Sequence, residues 1–304
     1  MRSRRTGMTE QQRPVGVIGT GLMGTACARR LREAGFDVLG YDVDAGKLKP
    51  LATLGGRSAG SISEVARACD KVVLAVFNTD QVEETIEGPR GLLAGRPADA
   101  SPVTAICVST CDPERIAALA ARVPAARLHF VEAPVSGTSE QVARGDALGL
   151  IGGDAAAVDA ARDVIGAISP RWHPIGPVGS GGRAKLAINL MLGINRAALA
   201  EGLVFAERMG LDPAAFLKVA RESAAYSQVM DIKGGKMLDG DFSPQGYVTQ
   251  SLKDFSLMLE QARRVKQRLP LGEVYKGLMD GCVAAGEGEL DNSAVIREIR
   301  RRTA

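Results

Sequence analysis

Apolar residues in the first half of the chain fall into short runs bounded by glycine and polar clusters. Val15 to Ile18, Asp37 to Tyr41, Lys71 to Phe77, Val103 to Val108, His129 to Glu132 and Ala147 to Gly152 are each four to seven residues long. Runs of that length read as strands of a buried sheet. Between them apolar positions recur at helical spacing: Ala26, Cys27, Leu31 and Ala34, then Gln81 to Ile86, then from Pro113, then about Ala155 to Ile168. Such alternation predicts an α/β fold, a mostly parallel and doubly wound sheet whose ligands collect at the carboxyl ends of its strands. From Ser180 onward the strand patterns stop. Helical segments follow from Gly182 to Met209, from Asp212-Pro213, and around Thr249 to Gln267. Proline and glycine concentrate between Pro174 and Gly182, where the chain is expected to pass from one domain to the next. The expected division is a disordered leader over 1–13, a Rossmann-type sheet domain over 14–178 and an all-helical domain over 179–304.

The turn after the first strand sharpens this picture. Gly19, Gly21 and Gly24 form G-x-G-x-x-G, with Thr20, Leu22 and Met23 between them, placed between a strand and a helix as the motif requires. Gly19 suits the tight turn, Gly21 the close approach of a pyrophosphate, and Gly24 close helix-on-strand packing, with the anion on the helix N-terminus. Asp42 ends the next strand roughly 20 residues on, where a carboxylate accepts from ribose hydroxyls and repels a 2′-phosphate. NAD is therefore expected ahead of NADP. Asp44 is a second candidate for that role, and Asn78, closing the third strand, is either an adenosine-side contact or a turn residue.

Composition narrows the classes. A chain of 304 residues accommodates about two domains, and a formal charge of +3 offers no nucleic-acid surface. The basic run Arg297 to Arg302 reads as a solvated tail, and no apolar run is taken as long enough to span a bilayer. The start is basic but lacks a signal or transit pattern, and Met8 is an alternative start. Five scattered cysteines without C-x-x-C point to reduced thiols and a cytoplasmic location. The two histidines, His129 at a strand start and His173 in a Trp-His-Pro connection, read as structural, so neither a metal site nor a histidine triad is expected.

The general acid or base must then be another residue. Lys185 and Asn189 stand at i and i+4 on the helix leaving the glycine-rich segment Gly176 to Gly182, and both project from one face toward the cleft between domains.

At this point the chain resembles the β-hydroxyacid dehydrogenases, typified by 3-hydroxyisobutyrate dehydrogenase and related to 6-phosphogluconate dehydrogenase. The likeness rests on the motifs G-x-G-x-M-G at Gly19 to Gly24, Glu132-Ala133-Pro134-Val135-Ser136-Gly137-Thr138, Gly176/Gly179/Gly181/Lys185/Asn189, and Lys253-Asp254 with Leu257. The resemblance implies that Lys185 is the general acid and base, that Asn189 binds substrate and that the loop around Ser136 and Gly137 holds its carboxylate. It also implies that Ser109 and Thr110 lie near the nicotinamide ribose and that Lys253 serves the cofactor. For Ser109 and Thr110 a helix cap, and for Lys253 a surface ion pair, stand beside those readings. A free amine at neutral pH requires a lysine shifted down from about 10.4, which burial and the charge of NAD⁺ would supply.

Two departures bear on the substrate. Thr138 replaces a glycine and Glu132 an aspartate of the family motif, so Thr138 is expected to narrow the loop or bond a polar substituent. The expectation is an NAD-preferring dehydrogenase of small β-hydroxy acids such as 3-hydroxyisobutyrate, glycerate or threonate, working as a homodimer or homotetramer without nucleic-acid or membrane partners. A reductase of small aldehydes or imines and a non-catalytic NAD-binding protein are the alternatives.

Overall fold

The computed structural model describes residues 13–302. The expected leader lies outside the described residues apart from Arg13, which pairs with Asp70 at 2.9 Å.

The chain begins β1 (Val15–Ile18), α1 (Leu22–Glu33), β2 (Val38–Tyr41), α2 (Lys49–Thr53), β3 (Arg57–Ser58), α3 (Ile62–Ala68), β4 (Lys71–Leu74) and α4 (Thr79–Glu87). It continues α5 (Leu92–Gly95), β5 (Val103–Cys107), α6 (Pro113–Arg122), β6 (Leu128–Glu132), β7 (Val135–Ser136), α7 (Ser139–Arg144) and β8 (Leu148–Gly152). After α8 (Ala155–Ala160), α9 (Arg162–Ile168) and β9 (Arg171–Gly176) the chain is helical. The strands form one sheet of order β3-β2-β1-β4-β5-β6-β8-β7, with β9 on β8. The six strands from β3 to β6 run parallel; β8 is antiparallel to β6 and β7.

Strand periodicity divides the core between the two faces. In β4 Val73 packs on one side with Ile106 of β5, while Val72 and Leu74 join Val103, Ala105 and Cys107 on the other. Helices cover both faces, as continuous apolar strands demand. The order reverses between β1 and β4, so the carboxyl ends of these strands make the crevice where such sheets bind ligands.

The second half consists of α10 (Ser180–Arg208), α11 (Pro213–Glu222), α12 (Gln228–Asp239), α13 (Val248–Arg264), α14 (Pro270–Ala284) and α15 (Val295–Arg301). Their core includes Leu199, Leu203, Met237, Phe255, Tyr275 and Met279. Asp212 caps α11 with Pro213 at its first turn, as the sequence indicates.

Several expectations need correction. The strand expected over Lys71 to Phe77, β4, stops at Leu74, and Phe77 beyond it is 43% exposed. The helix expected over 155–168 breaks at Ala161 into α8 and α9. His173 lies in β9 rather than in a connection; that edge strand is mostly exposed and contains Pro174, so it lacks the alternation that marks strands. The basic run is no tail: α15 buries Val295 and Ile296, while Arg297 and Arg301 pair with Glu287 and Arg302 with Glu298. Finally, α10 is long and apolar enough, at a mean hydropathy of 1.3, to meet the length test for a bilayer span. Its interruption by polar residues hid this, and it packs against α11, α12, α13 and α15 while carrying Lys185.

Candidate active site

The glycine turn is built to hold a dinucleotide. Gly19 has φ +87, and a Cβ on Gly24 would lie 1.8 Å from the Gly19 carbonyl oxygen, so α1 packs on its strand only through glycine. A Cβ on Gly21 would meet nothing within 4 Å. The N-terminus of α1 has no side-chain cap, which leaves its N–H groups for an anion. Leu22 opens the helix and Met23 packs against the sheet core. The residues fit the cofactor that the motif implies.

Asp42 is oriented by that same turn. Its Oδ2 accepts from the Thr20 N–H at 2.7 Å and its Oδ1 from the Asp44 N–H at 2.9 Å. Asp44 caps the turn at Ala45–Leu48 through the Gly46 N–H and has no equivalent position. Asn78 caps α4, accepting from the Gln81 N–H at 2.9 Å, so its side chain does a turn residue's work.

The loops after β4 and β5 meet α13. Ser109 Oγ donates to the Val76 carbonyl at 2.7 Å, while buried Thr110 offers its carbonyl oxygen to Lys253 Nζ at 2.6 Å. Lys253 also donates to the Phe77 carbonyl at 3.0 Å and pairs with Asp254 at 3.0 Å. It is thus a clamp between the sheet and helical halves, more than the surface ion pair weighed above. The helix cap weighed for Ser109 and Thr110 is supplied by Asp112, which accepts from the Glu114 and Arg115 N–H groups at the start of α6.

Lys185 lies one and a half turns into α10, and its side chain is buried. Nζ donates to the Val135 carbonyl at 2.7 Å, fixing the amine beside the Ser136–Thr138 loop. Burial pushes its proton affinity down to about 8, and the charges of Lys253 and Arg196 act in the same sense against the opposing pull of Asp254. Asn189 donates Nδ2 to Asp254 Oδ2 at 2.9 Å. A carboxylate only accepts, so this bond fixes the amide with Oδ1 free to accept.

Thr138 also has a structural task. Its hydroxyl accepts from the Gln141 N–H at 3.2 Å and its own N–H donates to Gln141 Oε1 at 2.9 Å, a capping box at the start of α7. The hydroxyl proton and one lone pair remain for a ligand. A polar cleft of about 540 Å³ between α7 and α12, lined by Thr138, Arg144, Arg171 and Asp231 among others, opens beside it.

Two acidic residues were not singled out from sequence as parts of the site. Asp254 was visible only as half of a motif; its position gathers Asn189, Lys253 and, at 3.3 Å, Gln250. Glu132, noted there only as a departure, is buried at the end of β6 and accepts from the Gly179 and Gly182 N–H groups at 2.5 and 3.2 Å. It therefore supplies from another element the cap that α10 lacks. Burial raises its carboxyl to about 7 against the pull of those N–H groups.

Comparison with known proteins agrees along the chain. A family model for the NAD binding domain of 6-phosphogluconate dehydrogenase matches residues 14–176. Another, described as NAD-binding of NADP-dependent 3-hydroxyisobutyrate dehydrogenase, matches residues 179–299. The L-threonate dehydrogenase of Cupriavidus necator is 33% identical over 286 residues, 94% of this chain and 95% of its own length. The 2-(hydroxymethyl)glutarate dehydrogenase of Eubacterium barkeri is 29% identical over 95% of each chain. The crystal structure of 3-hydroxyisobutyrate dehydrogenase from Salmonella typhimurium aligns with a TM-score of 0.85 at 27% identity, covering 94% of this chain and 99% of that one. On these matches the chain belongs to the β-hydroxyacid dehydrogenases, NAD(P)-dependent oxidoreductases of the CH–OH group in small hydroxy acids.

Proposed function

We propose that the protein interconverts a small β-hydroxy acid and its semialdehyde or keto acid, with NAD favoured and Lys185 as general acid and base. The observation that carries this reading is the buried Lys185 amine, lowered to about 8 and aimed by one carbonyl at the junction of the two halves. The nicotinamide, when bound, takes up or returns the hydride. In oxidation the free Nζ accepts the hydroxyl proton; in reduction the ammonium returns it to the carbonyl oxygen. Asn189 Oδ1 accepts from the substrate hydroxyl. Ser136 Oγ and the Gly137 N–H receive the carboxylate, with the Thr138 hydroxyl as a further donor.

Asp42, held by two backbone N–H groups, favours a ribose with both hydroxyls and repels a 2′-phosphate. Residues 14–178 would bind the cofactor, and 179–304 the substrate and a second copy of the chain. Asn78, Thr110 and Lys253 belong to this reading as supports of the loops that face the cofactor. The burial of all five cysteines as free thiols supports a cytoplasmic location. The relatives named for threonate and 2-(hydroxymethyl)glutarate support a substrate of a few carbons bearing a carboxylate.

The test is initial-rate NADH formation over a panel of β-hydroxy acids, NAD⁺ against NADP⁺, with Lys185→Ala alongside. Removal of a general acid–base group is expected to cost about 10²- to 10⁴-fold in turnover while NADH binding persists. Equal rates in the variant, or faster turnover with NADP⁺, would overturn the corresponding part of the proposal.

A further inference from the structure

Gln245 lies in the connection between α12 and α13, and its N–H, its carbonyl and both ends of its side-chain amide are all engaged. Toward the helical half its N–H donates to Asp291 Oδ2 at 2.9 Å and its Oε1 accepts from Lys233 Nζ at 3.0 Å. Toward the sheet half its carbonyl accepts from the Ser139 N–H at 3.4 Å and from Ser139 Oγ at 3.2 Å, while its Nε2 donates to Glu140 Oε2 at 2.7 Å. Behind it Lys233 and Asp291 form an ion pair at 2.8 Å, with side chains 3% and 0% exposed. Breaking such a pair leaves a buried charge unmet, so the two side chains hold one arrangement and Gln245 with them.

Among the described residues, every hydrogen bond between α7 and the helical half is made by Gln245. Otherwise α7 packs on α1 of its own half, and toward α12 it borders the polar cleft of about 540 Å³, lined by Gln141 and Arg144 of α7 and by Gln228 and Asp231 of α12. Helix α7 begins at Ser139, directly after Ser136, Gly137 and Thr138. Those three residues are thus spanned by two ties to the helical half: the Val135 carbonyl on Lys185 Nζ before them, and Ser139 on Gln245 after them. The first tie uses the amine assigned to proton transfer; the second uses no group of the reaction. An amide also suits the place, because its acceptor meets the Lys233 cation and its donor the Glu140 carboxylate. A glutamate there would keep Lys233 and set two carboxylates against each other.

We propose that Gln245 is a positioning residue for the substrate: it latches α7 to the helical half and so sets where the loop at 136–138 stands relative to Lys185 and Asn189. The inference rests on the reading of that loop as the carboxylate site and adds the residue that fixes its place. Gln245 acts through the loop, so loosening it weakens binding of substrate and transition state alike, which raises KM and leaves kcat in place. Lys253 ties the loops on the cofactor side separately, so cofactor binding does not depend on this latch.

The experiment compares the wild type, Gln245→Glu, Glu140→Gln and the double exchange, reading KM and kcat for the best acid of the panel and the calorimetric Kd of NADH. Gln245→Glu is expected to raise KM about 3- to 10-fold, with kcat within about twofold and NADH binding unchanged, a modest effect because Glu140 is exposed. Glu140→Gln, whose amide oxygen still accepts from Gln245, is expected to stay near the wild type. The double exchange reverses the direction of the bond and is expected to return KM to within about twofold of the wild type. An unchanged KM in Gln245→Glu, a KM that the double exchange leaves raised, or a fall in kcat in place of the rise in KM would overturn the proposal. Amide hydrogen exchange judges the latch without turnover. Residues 136–144 are expected to exchange faster in Gln245→Glu and at the wild-type rate in the double exchange; exchange unchanged in Gln245→Glu overturns the latch. If the wild type oxidises no acid, the expected exchange pattern still supports the latch and only the dehydrogenase reading falls. If Gln245→Glu does not fold, Ser139→Ala, which removes one bond to the Gln245 carbonyl, is read in the same way, with Ser139→Thr as the variant that keeps the hydroxyl.

Discussion

At the scale of single residues, the decisive feature is how burial and partners set proton affinity. Lys185 and Glu132 are moved toward neutrality from opposite directions, both chiefly by loss of water. For Glu132 the sign is explicit. Its carboxyl is raised from 4.5 to about 7, so the folded protein binds the extra proton between those values and loses stability as pH rises through that window. Glu132→Gln, which does not titrate, is expected to lack this loss: thermal melts from pH 4.5 to 7.5 should show the wild type falling relative to the variant. Parallel pH dependence in the two proteins would contradict it. Little of this was legible in the sequence. Gly19, Gly24 and Asp42 could be read because their tasks are local to one strand–turn–helix unit. Glu132 and Asp254 take their roles from N–H donors more than 45 residues away, which no spacing reveals.

At the scale of elements, the strands of the parallel sheet were legible because both their faces are buried, which leaves continuous apolar runs. The two-residue β3 and β7 and the exposed β9 carry no such mark, and their pairing is decided by neighbours. Helix α10 combines two tasks. One face holds Lys185, Asn189 and the core; the other exposes Met191 at 65%, Phe205 at 63% and Met209 at 57%. Val219 of α11 and Val274 of α14 are also more than 60% exposed. Apolar surface of this kind on a helix about 43 Å long favours a second copy of the chain as its cover. Sedimentation of the wild type is expected to give a dimer or tetramer, and Phe205→Asp with Met209→Asp a smaller species that retains its helical circular dichroism. A monomeric wild type, or an unchanged assembly in the variant, would remove this face from consideration.

At the scale of the whole molecule, the amine at the centre of the account exists only where the two halves meet. The β7 carbonyl aims it, Glu132 of β6 anchors the helix that carries it, and Lys253 ties α13 to the loops after β4 and β5. A lysine titrating at about 8 is free enough to accept a proton in mildly alkaline solution and charged enough to donate one below that. The most direct test is the pH dependence of kcat/KM for the best acid of the panel, measured in both directions from pH 6 to 10. The account predicts oxidation that rises to a plateau through about pH 8 and reduction that falls through the same value, with both limbs lost in Lys185→Ala. Profiles that are flat across this range, or that keep the same titration in the variant, would contradict Lys185 as the proton-transfer group.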